Sequence, residues 1–229
     1  MSDSFVSMKI AIIGGTGALG AGLALRWAKA GHQIILGSRD GERAQVAAQE
    51  MSGKISWVST TLTGMENGAA AAAGELVVIT VPYANHGDTL ETIRPHLNGK
   101  ILVDVTVPLM PPKVRTVQLP EGGSVAKAVQ NTLGDEVRVV SAFQNVAAAH
   151  LSDLDHEIDC DVLVCGNDPA ARGTVITLAQ DAGMNAWHAG RIDNSAVAEA
   201  LTSVLIFMNG SYKIDGAGIR ITGEKGSSV

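Results

Sequence analysis

Lys9-Ile10-Ala11-Ile12-Ile13-Gly14-Gly15-Thr16-Gly17-Ala18-Leu19-Gly20 opens the stretch that decides the fold, which runs on to Arg39. Its first five residues form a short apolar run rich in branched side chains, the pattern of a buried strand. Leu19, Leu23, Trp27 and Ala30 then fall on one helical face, and Gly31 stands where a helix stops. A second apolar run, Ile34-Ile35-Leu36-Gly37, ends in Ser38-Arg39. Strand, glycine turn, helix and strand follow in that order, with glycines at 15, 17 and 20 in the dinucleotide-binding spacing. Gly15 permits the tight turn, Gly17 lets a pyrophosphate approach the backbone, and Gly20 lets the helix lie close to the strand. The helix start offers unpaired N–H groups and a partial positive charge to phosphates.

The end of the second strand selects the dinucleotide. A carboxylate there would bond the ribose 2′-hydroxyl of NAD. This chain has Ser38 and Arg39, with Arg43 one helical turn on. Guanidinium groups pair in two-pronged fashion with a 2′-phosphate and stack on adenine, so NADP is expected. Asp40 and Glu42 are the residues that could instead pair with the arginines.

The alternation beyond Arg39 predicts an α/β fold, a Rossmann-type doubly wound and mainly parallel sheet with a small C-terminal helical part. Helices are predicted at Glu42–Met51, Gly64–Ala73, His86–Leu97, Ser124–Leu133 and Pro169–Ala182. Strands are predicted at Ile55–Ser59, Leu76–Val81, Lys100–Val105, Val137–Ala142 and Asp161–Cys165. Residues 1–7 read as a loose tail, 8–150 as the nucleotide-binding domain, and 151–229 as a smaller part completing the acceptor pocket. Val107 to Gly123 carries four prolines and no clear element, as a lid over a pocket would.

Composition excludes several classes. The 229 residues are 46% hydrophobic and 17% charged, enough for one large core. A net charge of −6, no basic run and only 3% aromatic residues argue against nucleic acid. No run of about 18 apolar residues is present to span a membrane, and the polar, acidic start is unlike a signal peptide. Cys160 and Cys165 lie at odd spacing along one predicted strand. They therefore face opposite ways and read as buried thiols in a reducing cytoplasm.

In doubly wound sheets ligands bind beyond the carboxyl ends of the strands. Thr80-Val81-Pro82-Tyr83 is therefore expected beside the nicotinamide ribose, and Gln144-Asn145-Val146-Ala147-Ala148 beside the ring. There is no Tyr-x-x-x-Lys pair, since Tyr212 and Lys213 are adjacent, and no Gly-x-Ser-x-Gly elbow. No metal-ligand cluster is evident, and the six histidines are scattered. His86 and His150 come nearest the expected cleft. A dinucleotide site without an evident acid or base suits hydride transfer between two cofactors, which needs orientation and dryness more than proton chemistry.

These residues resemble the F420-dependent NADP oxidoreductases. The resemblance is carried by Ile12 to Gly20, Gly22-Leu23-Ala24-Leu25-Arg26, Gly37-Ser38-Arg39, Thr80-Val81-Pro82, Val139 to Ala142 and Val164-Cys165-Gly166. Ser195, Glu199 to Thr202 and Gly218-Ile219 continue it toward the C-terminus. It implies direct hydride transfer between NADP(H) and the deazaflavin coenzyme F420. It implies Thr16, Gly17, Ala18 and Leu19 at the pyrophosphate, and Ser38, Arg39 and Arg43 at the 2′-phosphate. Tyr83 would flank the ribose, Val146 and Ala148 the nicotinamide, and Gly216 to Ile219, including Ala217, would approach from the C-terminal part. It further implies a homodimer, for which the apolar segment Ala196–Met208 is the expected interface. Lys113, Arg115 and Arg191 are the cations available to the acidic F420 tail. Gln144 stands where the family often has a histidine, and Ala147 where it often has proline. Read without the resemblance, the same residues also suit a reductase of an ordinary flavin or of a small imine or carbonyl, or a non-catalytic NADPH-binding sensor.

Overall fold

The chain begins its ordered pattern with β1 (Lys9–Ile13), α1 (Ala18–Lys29) and β2 (Gln33–Ser38), as the opening stretch predicts. The computed structural model describes residues 6–223, so most of the expected loose tail lies outside the described residues. There follow α2 (Gly41–Lys54), β3 (Leu62–Glu66), α3 (Asn67–Ala73), β4 (Leu76–Ile79), α4 (Tyr83–Ile93) and β5 (Ile101–Asp104). The rest comprises α5 (Val125–Leu133), β6 (Arg138–Ser141), α6 (Ala148–Leu151), β7 (Asp161–Gly166), α7 (Pro169–Asp181), β8 (Asn185–His188) and α8 (Ser195–Tyr212).

The strands form one sheet in the order β3-β2-β1-β4-β5-β6-β7-β8. The order reverses at β1, which pairs in parallel with β2 through Ile12↔Leu36 and with β4 through Ile12↔Val78. Among the described residues only β6 and β7 run antiparallel, through Val140↔Gly166 and Ser141↔Cys165. The residues after 150 thus extend the same sheet before adding α8.

The apolar runs are nearly continuous because helices cover both faces of the sheet. Alternate residues of β1 enter opposite cores: Ile10 and Ile12 join Leu23, Trp27 and Val78, while Ala11 and Ile13 join Ala70, Val77 and Leu90. Trp27 packs edge-on against Phe143 and donates its indole N–H to the Leu178 carbonyl at 2.7 Å.

Two expectations need correction. Residues 55–59 form a turn, not a strand, and the strand lies at Leu62–Glu66, taking the first three residues of the expected Gly64–Ala73 helix, which begins at Asn67 instead. Ile55 is apolar because it closes the end of α2 and plugs the core. Gly64 serves a strand rather than a helix, since a Cβ there would collide with the Ala44 backbone of α2. The edge strand β8 was not expected at all, being short and half exposed. Cys160 precedes β7 and Cys165 lies within it; both are unpaired and buried. Burial pushes both thiols up, Cys165 to about 11, which leaves them poor nucleophiles.

Candidate functional site

The phosphate cradle begins where β1 ends. Gly14 takes a left-handed φ of 78° and donates its N–H to the Gly37 carbonyl at 3.0 Å, so the turn needs a glycine one residue earlier than the spacing alone implies. Gly15 is required for space, because a Cβ there would meet the Ile12 carbonyl oxygen and Leu36 at 2.8 Å. At Gly20 a Cβ would meet Thr80 Oγ1 at 2.6 Å, the close helix approach expected. Thr80 Oγ1 in turn donates to the Ile13 carbonyl at 2.9 Å, fixing β4 to the cradle. Gly17 differs from these, for a Cβ there would touch only the Gly14 oxygen at 3.4 Å. Its open side faces solvent, where a ligand would come.

Gly17 is the N-cap of α1 and supplies no capping side chain, and the first turn holds no acidic residue. The first-turn N–H groups, including those of Ala18 and Leu19, are thereby left for an anion. At the next strand end, the Asp40 carboxylate caps α2 by accepting from the Arg43 N–H at 3.1 Å. Asp40 is thus occupied with the backbone. Among the described residues no ion pair involves Arg39 or Arg43. The sequence alternative, in which Asp40 or Glu42 neutralises the arginines, does not occur.

Thr16, Gly17, Ser38, Arg39 and Arg43 line one cleft of about 470 Å³, together with Thr80, Val81 and Pro82. Six of the expected site residues, counting Val81, therefore meet in one place. Gly15 is buried behind the loop, and Tyr83 opens α4 into a separate cavity of about 310 Å³ with His86, Leu90 and Pro120. Val146 is buried, and Ala148 starts α6; neither is part of the cleft lining. Ala217 donates its N–H to Asn209 Oδ1 at 2.8 Å, and its neighbour Gly216 packs against Ala147 and His150. This brings the C-terminal segment to the loop after β6. Gln144 is only 4% exposed, with Nε2 donating to the Asp104 carbonyl at 2.8 Å and to Ser141 Oγ at 2.9 Å.

Asn67, Asn85 and Thr89 also line the cleft and were not anticipated. The sequence pattern does not point to Asn67, because the strand expected at Ile55–Ser59 lies at Leu62–Glu66. Once the strand ends at Glu66, the rule of strand carboxyl ends points to Asn67 directly.

Beside the cleft lies a buried polar cluster. His86 Nε2 is 2.9 Å from Asp104 Oδ2, and the Thr106 N–H donates to Asp104 Oδ1 at 2.9 Å. The Glu199 carboxylate of α8 accepts from the Val125 and Ala126 N–H groups, at 2.8 and 3.1 Å, capping α5 from a distant part of the chain. Burial pushes the Glu199 carboxyl up to about 7, against the pull of those two bonds. Burial opposes charge on His86 as well, but its bond to Asp104 and the Asp104 and Glu199 charges raise its pKa overall. His86, Asp104 and Glu199 do not line the cleft, and they tie α4, β5, α5 and α8 into one frame.

Residues 9–108 match the family model described as NADP oxidoreductase, coenzyme F420-dependent. The chain is 46% identical over 221 residues to an F420-dependent NADP reductase of Methanocaldococcus jannaschii, covering 94% of this chain and 98% of that one. It is 38% identical over 220 residues to the F420-dependent NADP reductase of Methanothermobacter thermautotrophicus, covering 94% of this chain and 95% of that one. A solved structure of a candidate F420-dependent NADP reductase from an Arthrobacter species matches with a TM-score of 0.76 at 30% identity, over 95% of this chain and all of that one.

Proposed function

The chain belongs to the coenzyme F420-dependent NADP oxidoreductases, and from that membership we propose that it is an enzyme transferring a hydride directly between NADP(H) and F420. The observation that carries the NADP half is the pair Arg39 and Arg43, lining the cleft at the end of β2 with the nearest carboxylate occupied by a helix cap. NADP(H) and F420 supply the redox chemistry; the chain's work is to bind, orient and keep water out. Thr16, Gly17, Ala18 and Leu19 hold the pyrophosphate, with Ala18 and Leu19 offering first-turn backbone N–H groups and Gly17, whose own N–H bonds the Gly14 carbonyl, leaving the approach open. Ser38, Arg39 and Arg43 hold the 2′-phosphate. Val81 and Tyr83 flank the ribose, and Val146, Ala148 and Ala217 bound the nicotinamide end. Residues 8–150 make the nucleotide half, and 151–229 complete the acceptor side.

Mixing the protein with NADPH and F420 and following deazaflavin absorbance tests this reading. Loss of that absorbance with stoichiometric NADPH oxidation is the expected result. Turnover with FMN or FAD instead would favour an ordinary flavin reductase, and tight NADPH binding without turnover a sensor. Arg39→Ala should weaken NADPH binding by about 1.5–3 kcal/mol and narrow the preference over NADH, because a charge-assisted bond to the 2′-phosphate is lost. An unchanged NADPH-to-NADH ratio would place the 2′-phosphate elsewhere.

The enzyme also acts as a homodimer in our reading. Val197, Val204 and Phe207 stand exposed along α8, more apolar surface than a free helix keeps. Val204→Glu should convert the dimer to monomer in sedimentation analysis; a wild-type protein that sediments as monomer sinks this assignment. No helix among the described residues is long and apolar enough to cross a membrane. The two unpaired cysteines fit the cytoplasm, where we place the enzyme.

A further inference from the structure

Among the described residues, Phe143 and Lys213 alone take a left-handed φ without being glycine, 71° and 56° respectively. Lys213 is exposed and ends α8. Phe143 is 1% exposed and lies just beyond β6, at the carboxyl end of that strand. A bulky side chain is disfavoured on such a backbone, which persists only where the surroundings hold it from several sides. The ring meets Trp27 edge-on, with centroids 5.8 Å apart, and Trp27 is itself fixed by its bond to the Leu178 carbonyl. The Phe143 carbonyl accepts from the Val146 N–H at 3.2 Å, closing a tight turn. Within that turn the Gln144 carbonyl accepts from Thr202 Oγ1 of α8 at 2.8 Å, and Asn145 Nδ2 donates to the Asp161 carbonyl of β7 at 2.8 Å. With the bonds from Gln144 Nε2 to β5 and β6, the turn is fastened to four elements of the fold.

Filling the core asks for no left-handed backbone, since Trp27, Leu23 and Val140 fill the same core without one. The turn does ask for it, because the positive φ at its first residue bends the chain out of β6. The buried ring keeps that bend from relaxing. The side chains of Gln144 and Asn145 are taken up by bonds to the protein, so Val146 to Ala148 leave the turn from a fixed point. Hydride transfer between two flat rings depends steeply on their separation, and about 1 Å of misplacement costs on the order of 100-fold in rate. We infer that Phe143 is a positioning residue for this transfer: its ring, held against Trp27, locks the turn that seats Val146 and Ala148 beside the nicotinamide. The inference rests on the place proposed above for those two residues and adds what fixes them there.

The test is single-turnover hydride transfer from NADPH to F420 on the full chain, both saturating, beside NADPH titration and thermal melting. Phe143→Ala should slow transfer at least about tenfold while NADPH affinity stays within about threefold, because the turn loosens and the phosphate cradle does not. Phe143→Leu refills much of the slot and should restore the rate to within about threefold of the unmodified protein. A role in folding alone would lower the melting temperature of both variants and leave the rate per folded molecule unchanged. A folded Phe143→Ala protein that transfers hydride at the unmodified rate would therefore overturn the inference. A loss of NADPH affinity as large as the loss of rate would overturn it too, since the damage would then be general. Should Phe143→Ala not fold, Phe143→Leu decides alone: a slower transfer at unchanged NADPH affinity supports the inference, and an unmodified rate overturns it. An unmodified protein that binds NADPH but passes no hydride to F420 would bring down the functional reading, and this inference with it.

Discussion

Arg26→Met is expected to destabilise the protein by about 3–5 kcal/mol, the range for leaving two buried backbone carbonyls unpaired together with the loss of bonds from a charged donor. Arg26 lies on α1 with its guanidinium buried. Nε donates to the Leu151 carbonyl at 2.9 Å, Nη1 to Ala182 at 3.1 Å, and Nη2 to Asp153 and His156, each at 2.8 Å. One side chain thereby ties α1 to the loop after α6 and to the end of α7. Burial lowers its pKa, offset in part by Asp153, yet at neutral pH it stays charged. Methionine fills much of the volume but donates nothing. The outer carbonyls can turn to water, whereas those of Leu151 and Ala182 lose a partner in the interior. Removing the cation also removes its own desolvation cost, which keeps the expected loss below the sum of four bonds. At roughly 2–4 °C per kcal/mol for a chain of this size, the melting temperature should fall by about 6–20 °C. Arg26→Lys should rescue little, because one ammonium cannot fan out to carbonyls on two sides. A melting temperature within a few degrees of the unmodified protein for Arg26→Met would show that the loop is held by packing alone. Gly22 is the rival anchor, since a Cβ there would run into Leu151.

Neither this clamp nor the cap that Glu199 provides for α5 could be read from the sequence. Each joins a side chain to backbone groups more than 70 positions away, and a lone arginine or glutamate in a helix carries no mark of such a partner. The central strands were legible for the opposite reason. β1, β4 and β5 are covered on both faces, so nearly every residue in them is apolar. The strands that misled or escaped, β3 and β8, are the two outermost. An edge strand is short and half wet, so Leu62-Thr63-Gly64-Met65-Glu66 and Asn185-Ala186-Trp187-His188 show no buried-strand pattern. The lining of the candidate cleft divides in the same way. Thr16, Gly17, Ser38, Arg39 and Arg43 belong to contiguous motifs legible in the sequence. Asn67 depends on where an edge strand ends and is not.

Gly17→Val separates binding from folding more sharply than any other change in the cradle. Gly17 sits in an extended conformation, φ −78° and ψ 162°, which valine adopts readily. The added atoms enter open space beyond the 3.4 Å contact with the Gly14 oxygen. As an N-cap residue valine is poorer than glycine, by about 1 kcal/mol at most, so the melting temperature should fall only a few degrees. The space it fills is the approach to the cradle's N–H groups, where a pyrophosphate must come within hydrogen-bond distance of the backbone. NADPH affinity should fall by at least about 100-fold, near 2.7 kcal/mol, because the phosphates lose contact with the α1 start as a set. Gly20→Val supplies the contrast. Its side chain would press on Thr80 Oγ1 and the Gly15 backbone, so there the fold itself should weaken. Fluorescence titration with NADPH beside thermal melting distinguishes the two. A Gly17→Val protein that binds NADPH within threefold of the unmodified affinity would mean that the glycine loop is a turn and the phosphates rest elsewhere.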